Sequence, residues 1–290
     1  MKATGARIAA VAGVVALVVA VAALSIAALQ QGRPGTQGNT IRPAPTFDFG
    51  DGTTTASPTP ADPPTAPVGA ATEERFLAID GERLWRATAG SCSGAAPVVE
   101  LSIDGGSTWT DVTPPDAAQV LGAAALPDVA GEIVAATGDD CAPMVLRTYT
   151  SGVEWDEYPR ALGDTTFRAP SGNMTIVAPG DDLTAPCSDA RSVRASRGVV
   201  GLVCEGTAFA LLDNSWTQLT DHAITLDAVA GTVVVAHSSA ACNGIAVTRF
   251  TGTVGDEMTC FDDADPSEPA AISSLDGDLV LWSADLVLTP

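Results

Sequence analysis

The feature that most constrains the fold is that the sequence repeats itself. The stretch "LPDVAGEIVAATGDDC" from Leu126 returns as "LDAVAGTVVVAHSSAAC" from Leu226, a hundred residues on, with Leu, Val, Ala and Gly in register. Past the Cys the match resumes, Thr148 and Gly152 corresponding to Thr248 and Gly252. Further copies are "IDGERLWRATAGSC" from Ile79, "LDGDLVLWSAD" from Leu275 and a weaker "RGVVGLVCEGTAFALLDNSW" from Arg197. Each reads as a strand, a Gly turn, a strand, often a Cys near a loop, then another hairpin. Short β-branched runs broken by Gly, Asp and Ser, with no sustained helical period, define an all-β chain. Repeats of about 40–50 residues with four strands each are propeller blades. About five four-stranded blades fit the length best, and a sixth fits if residues 160–190 hold a degenerate one. A β-sandwich is the competing all-β architecture. Five Trp, nearly one per unit, suit packing between blades better than a ligand platform.

The repeats fill residues 72–290, and what precedes them differs in composition. Residues 8–29 carry no charge and no Pro. About 20 apolar residues suffice to cross a bilayer as a helix. Lys2 and Arg7 before the run favour a cytoplasmic N-terminus. Residues 1–30 thus read as a signal anchor, giving a single-pass protein of a bacterial cell membrane with its C-terminal domain extracytoplasmic. The competing reading is secretion after cleavage near Ser25-Ile26-Ala27, a small-x-small site. The next Cys is Cys92, so no lipid-modified N-terminal Cys is expected. Residues 31–71, with runs such as "ASPTPADPPTAP", have too few large apolar groups to offset chain entropy and read as a disordered Pro/Thr-rich linker.

The formal net charge is −21. Such a field repels nucleic acid and anionic lipid, and leaves solubility or a cationic partner as its use. Six Cys lie in the exported part: Cys92, Cys141, Cys187, Cys204, Cys242 and Cys260. An even count in an oxidising compartment reads as disulfides, and no pair has metal-type spacing. Of the fifteen pairings that six Cys allow, the sequential set Cys92–Cys141, Cys187–Cys204 and Cys242–Cys260 is preferred.

One motif carries a family resemblance. Ser102, Asp104, Gly106, Thr108 and Trp109 fall in "SIDGGSTW", the pattern Ser-x-Asp-x-Gly-x-Thr-Trp. A second, degenerate copy has Thr148, Thr150, Gly152 and Trp155, with Thr150 in place of the Asp, and Asp213-Asn214-Ser215-Trp216 keeps a trace. The domain resembles the Asp-box (BNR-repeat) propellers. These include sialidases and many non-catalytic members, such as propellers that assist photosystem assembly. In that superfamily the box is a structural hairpin. An Asp carboxylate accepts hydrogen bonds from turn amides, a Gly takes positive φ, and a Trp packs between strands.

A sialidase likeness would imply three Arg on the substrate carboxylate, a Tyr–Glu nucleophile pair and an Asp acid. Arg168, in Phe167-Arg168-Ala169-Pro170, has the look of the family's first Arg, although it follows both boxes and Ala169 replaces the aliphatic residue. Its companions would come from Arg75, Arg86, Arg147, Arg191, Arg194, Arg197 and Arg249. Tyr149 and Tyr158, the only Tyr, are poorly placed as nucleophiles. His237 ends a strand and reads as an ordinary hydrogen-bonded imidazole. The acidic clusters Asp139-Asp140, Asp181-Asp182 and Asp262-Asp263-Ala264-Asp265 lack calcium-loop spacing and read as solvated loops. No catalytic set, cofactor or metal is expected. The function that follows is a non-catalytic extracytoplasmic binding or scaffold propeller, tethered to the membrane, with an unknown protein or cell-wall glycan partner and no nucleic acid. The alternative is a sialidase-type glycoside hydrolase acting on cell-surface glycans.

Overall fold

The computed structural model describes residues 73–127, 130–170 and 174–290. The expected anchor and linker, residues 1–30 and 31–71, lie outside the described residues. Among the described residues no helix is long and apolar enough to cross a membrane.

The described chain forms six antiparallel sheets in sequence order. Blade 1 holds β1 (Arg75–Asp80), β2 (Arg83–Thr88), β3 (Val98–Ser102) and β4 (Thr110–Asp111). Blade 2 holds β5 (Ala117–Leu126), β6 (Ala130–Thr137), β7 (Ala142–Thr148) and β8 (Asp156–Glu157). Blade 3 has three short strands, β9 (Phe167–Arg168), β10 (Thr175–Val177) and β11 (Leu183–Thr184). Blade 4 comprises β12 (Ala190–Ser196), β13 (Val199–Cys204), β14 (Thr207–Leu212) and β15 (Ser215–Thr220). Blade 5 comprises β16 (Ala223–Val229), β17 (Thr232–Ser239), β18 (Cys242–Thr251) and β19 (Val254–Phe261). Blade 6 has β20 (Ala270–Leu275), β21 (Asp278–Ser283) and β22 (Leu286–Leu288). The first strand of each blade meets the first strands of both neighbours, and β1 meets β20, so the ring closes.

The propeller therefore has six blades, and the five-blade expectation is corrected. The sixth unit is blade 3, whose strands are two or three residues long and carry no Trp or Cys. Too short to show a repeat period, it still fills a seam: Phe167 packs with Leu121, Val134 and Val145 of blade 2. Six apolar clusters each span one seam. Alternation along β1 shows how the sequence dictates this. Phe76 and Ala78 point to blade 2, whereas Leu77 and Ile79 point to blade 6. A strand buried on both faces reads as a continuous apolar run, here Phe76 to Ile79. The Trp are less evenly spread than one per unit: blade 1 has Trp85 and Trp109, and blades 3 and 5 have none.

All six Cys are paired, and the pairing is sequential: Cys92–Cys141, Cys187–Cys204 and Cys242–Cys260. Each blade is a meander starting at its innermost strand. The connections between blades and the loops from second to third strands therefore share one face of the ring. The first-to-second and third-to-fourth turns share the other. All three disulfides sit on the first face, and Cys92–Cys141 joins blades 1 and 2 there.

Candidate functional site

The central axis is closed by side chains. Glu74, one residue before β1, is buried, and its Oε1 accepts the Ser192 amide of blade 4 at 2.7 Å. Blades 1 and 4 are opposite in a six-bladed ring, so this bond crosses it. The local cause lies in β12. Its register shifts between Arg191 and Arg194, and Ser192 takes φ +51°. A bulge of this kind takes an amide out of the ladder and re-aims its neighbours. A second shift, between Ala223 and Thr225 in β16, brings the Thr225 hydroxyl to 3.3 Å from that of Ser192.

Three of the arginines considered as substrate ligands, Arg168, Arg191 and Arg194, reach this region, and a fourth, Arg75, turns its side chain into the seam of blades 6 and 1; all four act within the protein. Arg194 donates to the carbonyls of Val193 at 2.9 Å and of Arg75, across the ring, at 3.1 Å, over the ring of Phe76. Arg191 donates to the carbonyls of Ile224 and Ala223. Arg75 donates to the Ala284 carbonyl at 2.6 Å and lies over Trp282. Arg168 lies 3.7 Å from Glu74 Oε2, with both side chains buried. Burial pulls the Arg191 and Arg194 guanidinium pKa values below the ordinary one. The remaining candidates lie elsewhere. Arg86 pairs with Glu100 at 2.7 Å between Trp109 and Trp282, and Arg147 pairs with Glu132 at 2.6 Å. Arg197 is in the β12–β13 turn and Arg249 on β18. Tyr149 and Tyr158 lie together at the outer edge of blade 2, away from Glu74.

Asp227 of β16 completes the network. Its Oδ1 accepts the Ala228 amide and its Oδ2 the Ser274 amide of blade 6, each at 2.8 Å. The residue keeps some accessible surface, yet protein surrounds the carboxylate, and burial pushes its pKa up to about 6 against those two amides and Arg194. An acid whose pKa is raised on folding favours the native state most below its unfolded value, near 4, and that advantage is lost as pH rises through about 6. Urea unfolding between pH 4 and 7 is therefore expected to show a contribution on the order of 2 kcal/mol that declines with pH. In Asp227→Asn this part of the slope should vanish, whatever the variant's absolute stability. An unchanged slope would count against the assignment.

The two box hairpins lie on the opposite face. Ser102 Oγ donates to Asp104 Oδ1 at 2.7 Å and accepts the Gly106 amide at 2.8 Å. Asp104 Oδ1 accepts the Thr108 amide at 2.8 Å and its Oδ2 the Thr108 hydroxyl at 2.7 Å. These bonds, the Thr108 amide foremost, hold the Asp104 carboxyl down to about 2. In the second hairpin, Thr148 Oγ1 accepts the Gly152 amide at 2.9 Å, and Thr150 Oγ1 takes the Asp's place on the Glu154 amide at 2.9 Å. Each hairpin packs onto the preceding blade. Gly106 lies against Val287 and Gly152 against Val112, and Trp155 Nε1 donates to the Val112 carbonyl at 2.9 Å. Trp216 does the same, reaching the Thr184 carbonyl at 2.8 Å. His237 is held by the Thr248 hydroxyl at 2.9 Å and the Ser238 carbonyl at 3.1 Å.

The acidic clusters gather on the disulfide-bearing face. Asp139, Asp140, Asp164, Asp181, Asp182, Asp262, Asp263, Asp265 and Glu268 are exposed in its loops. Cys141 and Cys260 pin two of these loops directly beside Asp140 and Asp262. Asp262 lies near the sulfurs of Cys242 and Cys260, but these are bonded to each other and leave no thiolate for a metal. Opposite, the exposed large apolar residues Ile103, Tyr149, Val153, Met174 and Val254 lie in turns or at their margins. Sequence reasoning missed Glu74, Ser192 and Asp227. The available signal was charged residues inside first-strand segments otherwise built for burial, such as "ARSVRAS".

No family model matches this chain, and no curated protein matches it. Among solved structures, it is similar to YCF48 bound to D1 peptide, at 14% identity over 74% of this chain and 76% of that one, with a TM-score of 0.37. It is also similar to the SapL1 lectin in complex with alpha methyl fucoside, at 10% identity over 74% and 94%, with a TM-score of 0.44. A third is the Bacteroides ovatus xyloglucan PUL GH43B, at 10% identity over 75% and 48%, with a TM-score of 0.37.

Proposed function

We propose that this propeller is a non-catalytic binding or scaffold module held outside the cytoplasm, tethered by residues 1–30 or secreted, and that its contact surface is the acidic face. The observation that carries this reading is the occupied axis. Arg191 and Arg194 donate to backbone carbonyls, and Arg168 faces Glu74. A hydrolase site needs such groups turned to substrate, and removing them from structural roles would strand buried charges. The hydrogen-bonded hairpins at Asp104 and Thr150 support placing the chain beside non-catalytic Asp-box propellers. Three disulfides in an acidic, exposed loop face suit a basic protein partner or a cationic cell-wall glycan, since complementary potentials set association rate and specificity.

The test is a comparison of faces. The Asn variants of Asp139, Asp140, Asp262 and Asp263 combined are expected to weaken, in a salt-sensitive way, the binding of an immobilised oligolysine peptide to the full chain. Neutralising Glu154, Asp213, Asp276 and Asp278 on the other face should change it much less. Equal losses from both sets would reduce the interaction to net charge and sink the face assignment. The second reading, a sialidase-type hydrolase, draws on Glu74, Arg168, Arg191 and Arg194 lying near one axis. Release of fluorophore from a sialoside substrate by the full chain would establish it in place of the first.

A further inference from the structure

The turn joining β1 to β2 is two residues long, Gly81 and Glu82, with Gly81 at φ +59°. It is tied to the first box hairpin, where the Gly105 amide donates to the Glu82 carbonyl at 3.0 Å. The second box hairpin is seated on blade 1 so closely that a Cβ on Gly152 would come within 2.4 Å of Val112. Between these three fixed pieces lies a cleft of about 440 Å³, lined by Asp80, Glu82, Arg83, Ile103 and Ser151. Small-molecule sites usually measure about 300–1,000 Å³.

Arg83 makes this cleft unlike the rest of the surface. Its Nε is buried and has no hydrogen-bond partner among the described residues. Arg75, Arg86, Arg147, Arg191 and Arg194, in contrast, all donate to carbonyl or carboxylate oxygens. That enclosed Nε is out of a ligand's reach, but Arg83 lines the cleft, and a guanidinium offers a planar fork that fits a carboxylate. A simple anion would nevertheless meet Asp80 and Glu82 and the field of a chain at −21. A simple cation would meet Arg83. A ligand bearing both charges a few ångströms apart satisfies all three groups. Ile103, 65% exposed, supplies an apolar wall beside them.

We propose that this cleft binds a zwitterionic ligand, a free α-amino acid with an aliphatic side chain. Its carboxylate pairs with Arg83, its ammonium with Asp80 and Glu82, and its side chain lies on Ile103, with the Ser151 hydroxyl as an additional partner. This site is on the face opposite the acidic one and stands independently of the reading above.

Calorimetry on the purified full chain with leucine, N-acetylleucine and leucinamide tests it. Leucine is expected to bind, and each blocked form to bind weaker by about tenfold or more, as loss of a charge-assisted pair implies. Arg83→Gln should weaken leucine by a similar factor. Asp80→Asn with Glu82→Gln should also weaken leucine while narrowing its advantage over N-acetylleucine. That second variant keeps the test decisive if Arg83→Gln does not fold. No leucine binding at millimolar concentration, equal binding of the blocked forms, or leucine affinity unchanged in the folded variants would overturn the proposal.

Discussion

Replacing Glu74 with Ala is expected to lower the unfolding free energy by about 3–5 kcal/mol, the usual result of breaking a buried charge network from one side. The loss removes a shared acceptor from groups on two blades. The Ser192 amide loses its 2.7 Å acceptor, and Arg168 loses the carboxylate 3.7 Å away. Both Ser192 and Arg168 are themselves buried, so water does not readily replace the lost carboxylate. Glu74→Gln should cost less. Its amide oxygen can still accept from Ser192, and only the charge facing Arg168 is lost. Urea unfolding near neutral pH with disulfides intact would measure both variants. A Glu74→Ala loss under about 1 kcal/mol, the range of exposed pairs, would mean that water or another group reaches the axis. The same result would weaken the case against catalysis, since a hydrated axis is one that a substrate can enter.

The repeat was legible because five blades carry the same hairpin. The copies from Ile79, Leu126, Arg197, Leu226 and Leu275 are the junctions of first and second strands in blades 1, 2, 4, 5 and 6. Blade 3 was not legible as a repeat. Its β9 and β11 are two residues each, too short for alternation, and its seams are filled by single residues such as Phe167 and Ile176. The disulfides were legible in pairing but not in position. Cys141 and Cys242 stand at equivalent starts of third strands, yet one reaches the preceding blade and the other its own fourth strand. The axial network was not legible. It depends on a bulge at Ser192 that exposes one amide, and on the meeting of residues more than a hundred positions apart. Arg168 was singled out from the sequence for a substrate role, and its neighbour Glu74 gives it an internal one. The cleft at Arg83 was invisible for a related reason: three turns of two blades build it.

Trp85→Ala carries the other large expected effect, about 3–5 kcal/mol, as for other fully buried aromatic side chains. Trp85 is 2% exposed in the seam of blades 1 and 2, with Phe76, Val99, Ile133 and Leu146 in the same cluster. Its ring meets that of Trp155 edge-on, centroids 6.0 Å apart at 72°. Its indole nitrogen has no hydrogen-bond partner among the described residues, so the ring acts through packing alone. Trp85→Phe should therefore be much the milder change, since it keeps an aromatic face and removes an unpaired N–H. The seam also explains why residue 131 is Gly. A Cβ there would come within 2.7 Å of the Trp85 ring, whereas its backbone conformation is one that any residue adopts. Gly131→Ala alone should cost about 1–3 kcal/mol through overpacking. In the Trp85→Ala background the obstructing ring is gone, so the added methyl should be neutral or stabilising. Thermal or urea unfolding of the four proteins closes a double-mutant cycle, with an expected favourable coupling of about 1–3 kcal/mol. Simple additivity would show that the ring does not occupy the space beside Gly131, and the account of this seam would fail with it.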